Sequence, residues 1–235
     1  MSIDSPANSS PDLSGLLAEQ AMLDAADRAY TRWRDSEGVE TWLDELRQDF
    51  HYACDSDRPD AAVALVNASL QYALTADGKY DLLHLQGVGL GKMLDDGGPA
   101  ELFDYQIASF ESAFRVLPEN KETLHRRTLI RLLGAKAWQR KGFETQGTEA
   151  LRVALGALNE ILPIYQSGAL GYPAHAKAAE VATLIASTAQ SLSAMGQDID
   201  PLPRWLLALK LALDPELRAA DTLGYWNAAI DPVEQ

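Results

Sequence analysis

The stretch Gln86-Gly87-Val88-Gly89-Leu90-Gly91-Lys92-Met93 is the one whose composition most invites chemistry, because closely spaced glycines let backbone amides approach an anion. The details exclude both familiar versions. A phosphate loop of the P-loop type needs glycine five residues before Gly91, where Gln86 stands, and a hydroxyl residue after the lysine, where Met93 stands. A dinucleotide fingerprint needs a preceding strand and a third glycine at Lys92, and neither is present. Gly87 and Gly91 are four apart, on one face of a helix. The spacing therefore predicts close packing by a neighbouring helix, which would justify the roughly 1 kcal/mol that each mid-helix glycine costs relative to alanine.

The other reactive side chains form no constellation. His51 and Cys54 can meet on one helical turn, but a metal site needs three or four ligands, and no second pair with ligand spacing accompanies them, so no metal and no cofactor is expected. His125-Arg126-Arg127 lacks the aspartate of a kinase catalytic loop, and no Gly-x-Ser-x-Gly elbow occurs. Acid pairs such as Glu40, Asp44 and Glu45 could hold Mg²⁺ between helices, as in helical nucleotide hydrolases. They belong to a region with fourteen acidic residues before position 61, where a solvated acidic face is the ordinary explanation.

One charge feature departs from its background. From Lys121 to Lys141 the chain carries seven basic residues, among them Arg127, Arg131, Lys136, Arg140 and Lys141, with Glu122 alone opposing them. Such a strip can pair with acidic helices of the same chain or of a second copy, or it can hold an acidic peptide, a carboxylate terminus or a phosphate. The five residues just named are the candidate partner- or anion-binding set.

Overall charge limits what those residues can serve. Twenty Lys and Arg against 34 Asp and Glu give a net charge of −14, which repels phosphate backbones and argues against nucleic acid as the main partner. A single cysteine excludes an internal disulfide and fits a reducing, cytoplasmic setting. Met1 to Pro11 carries four serines and two prolines without a basic cluster or apolar run, and is expected to be a disordered tail rather than a signal peptide. No run of about 18 apolar residues occurs, so no membrane span is expected.

The elements that position these residues are helices throughout. Amphipathic spacing predicts them over Leu13–Trp33, Glu40–Cys54, a third capped by Asp60 and broken at Asp77-Gly78, and a fourth over Tyr80–Leu94. Asp95-Asp96-Gly97-Gly98-Pro99 predicts a loop. Phe103, Ile107, Phe110, Phe114 and Leu117 then mark a helix stopped by Pro118. The next runs from Lys121 to Arg140 with Leu129, Leu133 and Ala137 aligned. Leu151, Leu155, Leu158 and Leu162 mark another, interrupted by Gln166 to Pro173, and Val181, Leu184, Ile185, Thr188 and Leu192 the one ended by Gly196. Two shorter helices, Pro203–Leu213 and Glu216–Ile230, complete the series, with Trp205, Tyr225 and Trp226 expected to cap the end of the array. No alternating β-branched run is long enough for a sheet. The fold expected over 12–235 is all-α in a single domain: a stack of antiparallel helical hairpins, or alternatively a compact bundle.

Two hairpins resemble the tetratricopeptide repeat family, whose 34-residue unit has a large residue, Leu-Gly and an aromatic in its first helix and small or aromatic residues and a terminal proline in its second. Leu83, Gln86, Gly87 and Leu90 occupy the first-helix positions. After a loop about seven residues longer than the family's, Phe110, Ala113 and Pro118 occupy the second-helix positions, with Gln106 where the family has alanine. Leu207 to Pro215 echoes the repeat ending. Candidate hairpin ends near Asp77, Pro118, Pro163 and Pro215 are spaced irregularly. The resemblance implies a non-enzymatic adaptor, scaffold or chaperone-like protein that binds another protein or peptide along the first helices, with a homo-oligomer possible. Two further functions fit the residues: a metal-dependent helical hydrolase using the acidic cluster, and anion binding along residues 121–141.

Overall fold

The computed structural model describes residues 39–73 and 75–214. It is all-helical over these residues, with eight α-helices and no strand among them. In chain order they are α1 (Val39–Asp55), α2 (Pro59–Ser69), α3 (Ala76–Asp95), α4 (Leu102–Val116), α5 (Leu124–Thr145), α6 (Thr148–Gln166), α7 (Tyr172–Ala194) and α8 (Leu202–Ala212), with a 3₁₀ turn at Leu70–Tyr72. The predicted helices Leu13–Trp33 and Glu216–Ile230, with Tyr225 and Trp226, lie outside the described residues. No helix among those described is long and apolar enough to cross a membrane.

Several boundaries differ from expectation, each for a local reason. Asp60 does not cap α2: Arg58 occupies the cap position without a side-chain bond, Pro59 opens the helix, and the Asp60 carboxylate pairs with Arg58 at 3.2 Å. Proline is tolerated there because the first-turn N–H it lacks has no partner within the helix. Asp77-Gly78 does not end a helix but sits in the first turn of α3. The Thr75 hydroxyl caps that turn by accepting from the Gly78 N–H at 3.0 Å, so the break falls at residues 70–75. The basic helix starts at Leu124, not Lys121, whereas α6 ends at Gln166, where its interruption is expected, with Pro163 inside it. Other signals hold. Leu117 turns to extended backbone before Pro118. Gly196, at φ +79°, closes α7, its N–H bonding Ser193 O while Gln197 N–H bonds Leu192 O. That pair of bonds satisfies carbonyls the last turn leaves free, at a backbone angle glycine adopts readily.

Each helix packs on the next along the chain, and α1 also touches α3, as α5 touches α7. The buried side chains form a series of clusters along this order: Leu46, Phe50, Val66 and Leu82 join α1 to α3, Val63, Leu90 and Phe103 join α2 to α4, Tyr80, Phe110 and Ile130 join α3 to α5, and Leu132, Leu158, Val181 and Leu211 join α5 to α8. This explains why α5 has no single stripe. Ile130, Leu132, Ala135 and Ala137 are buried on both sides of the helix, whereas the expected Leu129 and Leu133 are only half-buried.

Candidate binding surface

Helix α3 is held by glycine on one side and by charge on another. A Cβ at Gly87 would lie 2.7 Å from Cδ1 and Cζ of Phe110, and one at Gly91 would lie 2.6 Å from Gln106 Nε2. The predicted close packing at these two residues is present, with α4 as the neighbour. Gly89 does the same toward α2, where an added Cβ would come 2.6 Å from Val63 Cγ2. Gln106 occupies the room so made, its Nε2 donating to Gly87 O at 3.1 Å while its buried Oε1 has no hydrogen-bond partner among the described residues.

The basic residues of α5 face carboxylates, all but one of them on other helices. Arg131 pairs with Glu160 at 2.8 Å, Lys136 with Glu180 at 2.5 Å, Arg140 with Asp95 at 2.5 Å and Glu144 at 2.9 Å, and Lys141 with Asp104. Arg127 instead donates to the Leu117 carbonyl at 2.7 Å, an acceptor freed where α4 ends. Its guanidinium lies 4.2 Å from the Phe114 ring centroid and that of Arg131 lies 5.5 Å from the same ring. Phe114, expected in the apolar stripe of α4, thus works as a platform for two arginines. The five residues named from sequence are not gathered at one point: they run along α5 and tie it to α3, α4, α6 and α7.

A tighter charge cluster, not anticipated, sits where α1, α3 and α5 meet. Asp81 receives Arg47 at 2.8 Å and Arg126 at 3.2 Å, and Arg126 reaches Asp77 at 2.5 Å while lying 4.2 Å from the Tyr80 ring centroid. Burial raises the Asp81 carboxyl above its ordinary range, although both guanidiniums oppose the shift. His84, one turn along, is held down to about 4, by burial first and then by Arg126 and Arg47. The imidazole is neutral at pH 7. A proton on it would be desolvated and would face two cations.

Between α2 and α4, over the middle of α3, an open groove of about 160 Å³ remains. Val63, Leu83, Leu90 and Ala108 give it an apolar lining, and Asn67, Gln86, Ser109 and Ser112 line it with polar atoms. The polar groups form a chain across three helices: Gln86 Nε2 donates to Asn67 Oδ1, and the Ser109 hydroxyl lies 2.7 Å from Gln86 Oε1. Among the described residues no charged side chain lines the groove. Sequence reasoning missed Asn67, Ser109 and Ser112. The available signal was their polarity inside apolar runs, Asn67 within Val66 to Leu70 and Ser109 beside Phe110, which marks helix positions that face neither core nor bulk water.

The reactive groups offer little else. Cys54 is buried, and burial pushes its thiol upward, away from nucleophilic thiolate character. Asp44 is paired with Arg47 at 2.6 Å, and among the described residues no group of three His, Cys, Asp or Glu could hold a metal ion. No family model, curated protein or solved structure matches this chain.

Proposed function

We propose that the protein is a non-enzymatic adaptor or scaffold, chaperone-like in mode, built as a tetratricopeptide-like stack of antiparallel hairpins, and that it holds a partner protein's extended segment in the groove between α2, α3 and α4. The observation that carries this reading is the groove lining. An apolar floor suits one aliphatic or aromatic side chain, while neighbouring carboxamides and hydroxyls supply both donors and acceptors, as a peptide main chain requires. Absence of charge in the lining selects a neutral segment, since a charged one would be desolvated without a counter-ion. The groove is lined by one first helix and two second helices, so the docking surface in this reading differs from a face of first helices alone.

Anion binding along α5 is less well supported. Arg131, Lys136, Arg140 and Lys141 already face carboxylates, so a ligand would have to displace them.

A displayed library of random peptides, panned on the full chain, tests the proposal. Enriched peptides are expected to be neutral with one large apolar residue, and to lose binding when Ala108→Trp fills the groove from an exposed position of α4. Enrichment of acidic peptides that Arg127→Glu with Arg131→Glu releases would move the site to α5. A melting midpoint raised by Mg²⁺ or Mn²⁺ would favour the hydrolase reading instead, by mass action on the native state.

A further inference from the structure

Helix α8 is apolar on two opposite sides. Ala208 and Leu211 are buried in the cluster shared with α7, whereas Leu202, Leu206, Leu209 and Leu213 are each more than half exposed and Trp205 is 39% exposed. At 3.6 residues per turn those five fall within about 100° of arc, opposite the buried pair. No charged residue interrupts the stripe. Lys210 lies on its flank, and Arg204 lies on the far side, where it donates to Asp200 O at 2.5 Å. Trp205 is fixed in place from α7, its indole N–H donating to Gln190 Oε1 at 3.0 Å. An unbroken apolar patch of a few hundred Å² is of the size that marks an interaction site.

We propose that this face is where two copies of the chain associate, their α8 helices packing antiparallel across a two-fold axis that passes between Leu207 and Ala208. The stripe is its own complement. With the axis there, Leu206 of each copy meets Leu209 of the other, and Leu202 meets Leu213. In an antiparallel pair each edge of the stripe faces the same edge of the copy, so the large Trp205 falls opposite the small, exposed Ala212. Charge agrees with this pairing. A two-fold contact sets any charge near the axis close to its own duplicate, and a chain of net charge −14 keeps every carboxylate out of the stripe. The two faces together bury about 1,000 Å², the size from which a specific interface begins. A foreign partner would need a leucine stripe of matching spacing, which a second copy brings by construction. The groove between α2 and α4 shares no residue with α8, so the dimer stands whether or not that groove holds a peptide.

The test is sedimentation equilibrium of the full chain at neutral pH. A monomer–dimer equilibrium with a Kd in the micromolar range is expected, and Leu206→Glu should weaken it by at least about tenfold. Leu206 is 58% exposed, so this variant should keep its helical circular dichroism, which shows that folding is intact. Leu206→Lys should dissociate the dimer as well, and its agreement with Leu206→Glu separates a lost apolar seam from added negative charge. A dimer that survives both substitutions has its interface elsewhere, and the proposal fails. An unaltered chain that stays monomeric throughout the micromolar range overturns it equally, because something other than a second copy then covers the face.

Discussion

Helix α3 meets α4 and α5 by opposite means. Toward α4 it presents glycines, so the seam is made by a missing side chain and the Phe110 ring that fills its place. Toward α5, and α1 beyond the same face, it presents Asp77, Tyr80, Asp81 and His84 to the guanidiniums of Arg47 and Arg126. The first seam depends on shape, acts over contact distance and ignores pH and salt. The second depends on charge in a half-dry setting and responds to both. One helix thus carries a rigid joint and a tunable one, and each can be broken without touching the other.

The rigid joint should break hardest. Gly87→Ala drives a Cβ into a ring that is itself 3% exposed and cannot move outward, so a loss of about 3 kcal/mol is expected, beyond the helix propensity that alanine restores. Urea denaturation at pH 7 measures it. Phe110→Leu in the same chain should recover part of the loss, giving a coupling energy between the two sites. Additive losses would mean that the ring and the glycine do not define the seam.

The tunable joint should show itself on acidification. His84 has a folded pKa of about 4, below the ordinary 6.5, so the unfolded chain takes up its proton first. Its contribution is present above pH 6.5 and is lost as pH falls from 6.5 toward 4. The shift sets a ceiling of about 3 kcal/mol at 1.36 kcal/mol per unit. Asp81, raised in the folded state, titrates in the opposite sense and offsets part of this, so a net loss of about 2 kcal/mol is expected. In His84→Gln the stability curve between pH 6.5 and 4 should flatten. An unchanged slope would place the pH response elsewhere.

Removing one cation separates pairing from burial at that joint. Arg126→Ala abolishes two carboxylate contacts and the Tyr80 stacking while leaving Arg47 on Asp81, and about 1 to 2 kcal/mol should be lost at pH 7 and low salt. The same change relieves His84 of a neighbouring charge. The acid-induced loss should therefore be smaller in this variant, and a pH profile that keeps its wild-type shape would show that Arg126 does not act on the imidazole.

The difference between the joints also decides what could be read in advance. Gly87 and Gly91 announce close packing because their spacing is four and their cost in a helix demands a reason, and Leu117-Pro118 announces the end of α4 because proline restricts its predecessor. The charged joint is silent in sequence. Arg126 lies 45 positions from Asp81 and 49 from Asp77, and no local rule pairs them. The α2–α3 break was misplaced because Asp77-Gly78 resembles a turn, whereas the Thr75 cap needs only the N–H of Gly78, which a first helical turn leaves free. The groove was invisible for the same reason as the charged joint: Asn67, Gln86 and Ser109 come from three helices, and only packing brings them together.

Gln106 tests how completely the rigid joint is a matter of shape. It stands in space that Gly91 leaves open, and it brings one hydrogen bond to Gly87 O together with one buried carbonyl that has no partner among the described residues. A buried carbonyl with no protein partner costs about 1 to 3 kcal/mol, whereas a made hydrogen bond returns about 1 kcal/mol. Gln106→Met keeps the length and flexibility of the side chain and removes both. The Gly87 carbonyl lies within α3, where the helical ladder supplies it with a donor four residues on, so losing the glutamine leaves it satisfied. The expected result is a gain of about 1 kcal/mol, read as a higher urea midpoint with an unchanged slope. A loss instead would show that the seam depends on the Gln106 amide as well as on its volume, and the contrast between a joint of shape and a joint of charge would then have to admit a polar contact on both sides of α3.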